Sequence, residues 1–191
     1  MSTSGGVETE VKLPASGDPE SGIRLLEGAG FRVSVPRVFE ANSVYDTEGD
    51  RLRAQGELLR LRLAGDVVTL TWKGPTILAG PHKSRAETEV RVDDFGRADQ
   101  LLKSLGYRLR FRYDKYRTEF ASVEAGGTAT LDETPIGLFL ELEGTPEWID
   151  RMAKRLGYAA DAYITLSYGA LYEKYRREHP GAPSFMTFPD A

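Results

Sequence analysis

The sequence predicts one α+β domain in which strands dominate, and three observations lead there. Eight segments alternate polar and apolar residues with a period of two rather than 3.6. Three segments among them end on glycine followed by an aromatic residue, at Gly30-Phe31, Gly106-Tyr107 and Gly157-Tyr158, as helices do when a left-handed residue closes them. Between residues 7 and 178 there is no linker, low-complexity tract or solenoid repeat.

The elements follow in order. Residues 1–6 are rich in Ser and Gly and are expected to be a disordered tail. A strand is expected over 7–13. A helix then starts at Asp18-Pro19, an N-cap followed by a proline that needs no amide hydrogen there, and closes at Gly30. Strands are expected over 33–46, 58–64 and 67–73, the last two joined by the turn at Gly65-Asp66. A strand over 84–92 leads to a helix opening at Asp93-Asp94. Strands over 108–120, 127–132 and 138–143 come next, Gly126-Gly127 marking a turn. A helix runs from Thr145-Pro146 to Gly157, and another over 162–177 carries the apolar stripe Leu166, Ala170, Leu171 and Tyr175. Residues 179–191 hold three prolines and no period, and a flexible C-terminal tail is expected there.

Composition narrows the chemistry. The 191 residues carry 25 Lys and Arg against 29 Asp and Glu, a formal charge of −4, with 40% hydrophobic residues, which suits a globular fold with a substantial core. The absence of cysteine excludes disulfides, zinc–thiolate sites, thiol nucleophiles and iron–sulfur clusters. No apolar run reaches the roughly 18–20 residues of a membrane span, and the start lacks the features of a signal peptide, so a cytoplasmic protein without a membrane partner is expected. The negative balance argues against nucleic acid as a partner. A homodimer is compatible with the sequence, which does not set the oligomeric state.

Alternation assigns the charges to faces. Glu8, Glu10 and Lys12 share one face of the first strand; Arg60 and Arg62 share one in the third; Lys73 stands with Thr69 and Thr71 in the fourth. Arg85, Glu87 and Glu89 stand together, as do Lys115 and Arg117, Asp132 with Thr130, and Glu141 with Glu143. A single such strand is merely half-wet. Seven strands that gather acids or bases on one face, five of them in like-charge pairs, are another matter. If the sheet closes with these side chains inward it forms a polar tunnel with helices over its apolar outside, and burying so many ions for stability alone gains little. Such an interior calls for a ligand. Carboxylate pairs suit Mg²⁺ or Mn²⁺, and Arg and Lys pairs suit phosphate oxygens, so a metal–polyphosphate is the expected guest.

In these blocks the chain resembles the CYTH superfamily, the triphosphate tunnel metalloenzymes. Glu8-Thr9-Glu10-Val11-Lys12 matches the family's N-terminal signature, and Tyr45-Asp46-Thr47, Leu59 to Arg62, Leu70 to Pro75, Ser84 to Glu89, Lys115 to Arg117, Leu131-Asp132, Gly137 to Glu143 and Ser167-Tyr168 follow in order. Lys73-Gly74-Pro75 with the later Ser-Tyr pair looks most like its class IV adenylate cyclase branch. The resemblance implies an eight-stranded antiparallel β-barrel with helices packed outside. It implies Glu8, Glu10, Asp132, Glu141 and Glu143 as metal ligands, with Glu8, Glu10, Lys12, Glu141 and Glu143 as the catalytic set. Lys12, Arg60, Arg62, Lys73, Arg85, Lys115 and Arg117 would bind phosphate; Glu87, Glu89 and Asp132 would orient them or take a second metal; Tyr168 would serve as a lid. The reaction implied is conversion of ATP to cyclic AMP and pyrophosphate. The alternatives are hydrolysis of tripolyphosphate, a nucleoside triphosphate or thiamine triphosphate, and a polyphosphate- or nucleotide-binding module without turnover. His82 and His179 lie almost a hundred residues apart beside prolines and are read as surface residues.

Overall fold

The structure, a computed structural model, describes residues 6–189. Nine strands form one sheet: β1 (Gly6–Ala15), β2 (Phe31–Asp46), β3 (Leu58–Ala64), β4 (Val67–Lys73), β5 (Ile77–Ala79), β6 (His82–Val92), β7 (Arg108–Ser122), β8 (Gly127–Thr134) and β9 (Gly137–Gly144). Eight of them close a barrel in the order β1-β9-β8-β7-β2-β3-β4-β6. The seam is antiparallel pairing of β1 with β6, from Gly6 opposite Glu87 to Glu10 opposite Lys83. The short β5, absent from the sequence expectation, pairs with β6 beside the barrel proper. Every pairing between these strands is antiparallel.

Five helices lie outside: α1 (Pro19–Gly28), α2 (Arg51–Ala54), α3 (Phe95–Ser104), α4 (Pro146–Arg155) and α5 (Tyr168–Glu178). The expected caps hold three of them in place. Asp18, Asp94 and Thr145 accept from backbone N–H groups at the starts of α1, α3 and α4. Gly30, Gly106 and Gly157 follow their ends at φ of 91°, 89° and 88°, where a side chain would be strained. The fourth expected helix is shorter than its pattern. It begins at Tyr168 with Ser167 as N-cap, so Leu166 falls outside it and is 45% exposed.

The apolar core lies outside the barrel. Val11, Leu13, Leu131, Leu140 and Leu142 point outward from β1, β8 and β9 against Leu26 of α1 and Trp148, Ile149 and Met152 of α4. Leu59, Leu61 and Val68 meet Leu102 of α3 in a second cluster. A third, of Tyr113, Phe139, Tyr168, Tyr172 and Met186, covers one end of the barrel. Met186 corrects the expected loose C-terminus. It is fully buried, its N–H donates to Arg112 O at 3.0 Å and its carbonyl accepts from Asp114 N at 2.9 Å, while the Tyr172 hydroxyl donates to Pro183 O. The expected N-terminal tail lies outside the described residues except for Gly6, which opens β1. No helix among the described residues is long and apolar enough to cross a membrane.

Candidate active site

Because the outward residues of each strand are apolar, the alternate residues turn into the barrel, and there the ions meet. A cavity of about 380 Å³ is lined by eight basic side chains and six acidic ones, at the small end of the roughly 300–1,000 Å³ that ligand sites occupy. Glu8, Glu10, Lys12, Arg60, Arg62, Lys73, Arg85, Glu87, Glu89, Lys115, Arg117, Glu141, Glu143 and Tyr168 all line it. Asp132 does not.

At the inner end Asp132 is fully buried and accepts four hydrogen bonds. They come from Lys115 Nζ at 2.8 Å, Arg117 Nε at 2.7 Å and Nη2 at 2.6 Å, and the Tyr168 hydroxyl at 2.7 Å. Its oxygens are taken, so it anchors the bases from behind rather than reaching the cavity as a ligand. Tyr168 is likewise no lid. Its buried ring lies 5.2 Å from Lys12 Nζ and 5.3 Å from Lys115 Nζ and plugs this end. Burial and the nearby Asp132 and Glu141 push its hydroxyl well above the ordinary tyrosine range, so it is a donor only.

Two further residues here escape the strand-by-strand reading. Glu40 is buried and sits 3.3 Å from Arg62 and 3.5 Å from Lys115; burial pushes its pKa up, but these cations win and pull it down to about 2. Asn42 accepts from Arg62 Nε at 3.0 Å. Both stand in the expected strand 33–46 at alternate positions, a signal that listing its faces would have exposed. Arg60 donates to Thr71 Oγ1 at 3.2 Å, and Thr71 donates on to Glu89 at 2.7 Å. That chain makes Glu89 an orienting group. Arg60 Nε and Thr130 Oγ1, both in the cavity wall, are buried with no hydrogen-bond partner among the described residues.

The mouth, where β1 and β6 begin their pairing, is acidic. Lys73 bridges Glu8 at 2.5 Å and Glu87 at 2.7 Å. Burial and a hydrogen bond shared with Glu87 raise the Glu8 pKa to about 8 despite Lys73. Glu10 and Glu143 are direct cross-strand partners, a like-charge placement that is unfavourable on its own. Desolvation, then Glu10, Glu87 and Glu141, hold Glu143 above the usual carboxylate range against the pull of Lys73. Lys83, missed because the strand was expected to start only at Ser84, is buried with its ammonium 2.5 Å from Glu10. Lys12 spans Glu10 at 3.4 Å and Glu141 at 3.1 Å, and Arg117 also bonds Glu141.

Arg85 departs from expectation. Its Nε donates to Gly74 O at 2.7 Å and its Nη2 to Gly56 O at 2.9 Å, so most of its guanidinium braces the rim. His82 is buried, not superficial, and bonds Asp150 of α4 at 2.8 Å, which the Tyr163 hydroxyl also reaches. His179 is exposed and stacks on Tyr175.

The acidic donors are all oxygens, as a hard divalent cation requires. Among the described residues Glu143 has no basic partner within 4.0 Å, and burial and Glu87 hold Glu8 above the usual carboxylate range despite Lys73. In chemistry the set fits such an ion. Among the described residues no three acidic side chains converge on one point, because Glu8, Glu10 and Glu141 are each drawn to a lysine.

A closed antiparallel barrel with an ionic interior and helices outside defines a tunnel fold. The chain belongs to the CYTH domain family, whose model matches residues 6–154. It is 28% identical over 138 residues to the Methanocaldococcus jannaschii protein named "Putative adenylate cyclase MJ0240", covering 72% of this chain and 76% of that one. Its fold is that of a Vibrio parahaemolyticus protein described as a "putative adenylate cyclase", with a TM-score of 0.76 at 20% identity over 89% of this chain and 99% of that one. It is also that of a Hippeastrum protein, "Putative adenylyl cyclase HpAC1", described as having a dominant triphosphatase activity. There the TM-score is 0.65 at 16% identity, over 88% of this chain and 95% of that one.

Proposed function

We propose that the protein is a divalent-metal-dependent enzyme acting on a triphosphate, and in the first reading that it converts ATP to cyclic AMP and pyrophosphate. The observation that carries this is the cavity wall itself: bases outnumber acids, and Arg60 Nε and Thr130 Oγ1 have no hydrogen-bond partner among the described residues. Buried donors of that kind are costly unless an acceptor arrives, and phosphate oxygens are acceptors.

Lys12, Arg60, Arg62, Lys73, Lys115 and Arg117 would bind the phosphates, with Glu8, Glu10, Glu141 and Glu143 holding Mg²⁺ or Mn²⁺. When bound, the ion supplies Lewis acidity, easing loss of the attacking hydroxyl's proton and stabilising charge on the leaving phosphates. The protein's own part is placement. Asp132 and Glu40 fix Lys115, Arg117 and Arg62 before substrate arrives, so no reorganisation is needed as charge moves toward the leaving group. Tyr168 and its neighbours seal the inner end against water. Val7 and Leu58, at the mouth, are the aliphatic side chains of the wall and would meet the nucleoside. The names of the archaeal and Vibrio relatives support this reading.

Hydrolysis of tripolyphosphate or thiamine triphosphate is the second reading. It is favoured by a wall that is ionic nearly throughout and offers a base so little apolar surface, and by the activity described for the Hippeastrum protein. The test is incubation with Mg²⁺ or Mn²⁺ and either ATP or tripolyphosphate, resolving cyclic AMP, pyrophosphate and orthophosphate. Cyclic AMP with equimolar pyrophosphate is expected. Orthophosphate alone selects hydrolysis, and thermal stabilisation by both substrates without any product leaves a binding module and overturns the enzyme.

A further inference from the structure

The three lysines at the acidic end are not equivalent. Lys12 is held between Glu10 and Glu141, and Lys73 between Glu8 and Glu87. Among the described residues Lys83 has a single carboxylate partner, Glu10, which it meets at 2.5 Å. The strand register explains the placement. Glu10 lies directly between Lys83 of β6 on one side and Glu143 of β9 on the other, so the row reads cation, anion, anion across three strands. Both of the lysines that reach Glu10 do so at Oε1, which leaves its other oxygen free among the described residues. The side chain of Lys83 is 6% exposed and lines the cavity, so its ammonium has somewhere to go only if an anion enters.

We propose that Lys83 is a displaceable counter-ion: it occupies Glu10 in place of a divalent cation, yields the carboxylate when the cation enters, and then serves a phosphate oxygen of the guest. The inference rests on the reading above, in which a cation and a triphosphate share this cavity. Its consequence is thermodynamic coupling. An ammonium evicted from Glu10 into a buried, uncompensated position is unfavourable, so cation binding alone is opposed. With a triphosphate present the same ammonium gains a partner, and the two ligands favour each other reciprocally. Lys83 would therefore suppress occupation of the site by metal alone and reward the metal–triphosphate pair. Lys12 and Lys73, each with a second carboxylate to fall back on, contribute less to that coupling.

The experiment titrates Mn²⁺ into wild type and Lys83→Met, without triphosphate, reading free Mn²⁺ by electron paramagnetic resonance. Tripolyphosphate is titrated separately in chelator by calorimetry. Lys83→Met is expected to bind Mn²⁺ about tenfold more tightly and tripolyphosphate about tenfold more weakly, toward the low end of ordinary coupling between sites. Unchanged or weaker Mn²⁺ binding in a folded variant overturns the proposal, since a purely structural lysine would not improve metal affinity when removed. If Lys83→Met does not fold, the wild type decides. Brief acetylation with peptide mass spectrometry should show Lys83 more reactive with Mn²⁺ alone and less reactive with tripolyphosphate alone, and no change with Mn²⁺ overturns the proposal. Failure of wild type to bind Mn²⁺ at all sinks the metal-dependent function together with it; Mn²⁺ binding that is indifferent to Lys83 sinks the counter-ion alone.

Discussion

The two ends of the tunnel use the same residue types to opposite effect. At the inner end every carboxylate is outnumbered: Asp132 receives four hydrogen bonds from three side chains, and Glu40 lies between Lys115 and Arg62. At the mouth the carboxylates crowd one another, with Glu10 directly across from Glu143 and Glu8 and Glu87 sharing the single ammonium of Lys73. At the inner end Asp132 and Glu40 are each matched to two cations when the chain folds. The mouth is left with unfavourable contacts that only a guest removes. Stability and function are thus separated along one axis, and substitutions at the two ends should behave differently.

The largest effect is expected from Asp132→Asn. The amide keeps the shape but presents hydrogens to an ammonium, a guanidinium and a hydroxyl that all donate to the carboxylate. Breaking a buried ionic network from one side costs about 3–5 kcal/mol, which for a domain of this size is a fall in Tm of about 10 °C. Denaturant unfolding monitored by far-UV circular dichroism checks it. A change below about 1 kcal/mol would mean that the inner end is not the stabilising one.

Acid should find the same weakness. Glu40 has its pKa lowered from 4.5 to about 2, so its contribution is present above pH 4.5 and is lost as pH falls toward 2. The shift corresponds to about 3 kcal/mol. In Glu40→Gln that contribution is absent throughout, so the stability gap between wild type and variant should narrow steadily below pH 4.5. A constant gap between pH 6 and pH 2.5 would contradict the assignment.

Much of this contrast was open to the sequence. A two-residue period sends Glu8, Glu10 and Lys12 to one side of a strand whatever the strand's neighbours, and the caps at Asp18, Asp94 and Thr145 are local chemistry. What alternation leaves undetermined is depth. Asp132 and Thr130 share a face, yet only Thr130 lines the cavity, because the plug at Tyr168 comes from an element some 36 residues away. Arg85 faces inward as expected, but its donors are claimed by carbonyls at Gly56 and Gly74 whose positions depend on loops. Met186 docks by two backbone hydrogen bonds beside β7, and such a contact needs no periodic pattern to betray it. Lys83 was lost to a strand boundary placed two residues late.

The smallest effect on stability, and the sharpest separation of the two ends, is expected from Glu143→Gln. Glu143 is exposed at the mouth and opposite Glu10, so removing its charge relieves repulsion without emptying any hydrogen bond made within the protein. Solvent screening keeps the gain small, and stability should rise or stay level, within about 0.5 kcal/mol. Turnover should nevertheless fall at least about tenfold, the least that losing even an indirect partner of a bound metal brings, and added Mn²⁺ should stabilise the variant less than wild type. Asp132→Asn and Glu143→Gln then form a pair, one losing the fold and the other losing the chemistry. If Glu143→Gln retains wild-type turnover, the crowding at the mouth has some cause other than a missing cation. If it instead unfolds the protein, the division of labour between the two ends is wrong.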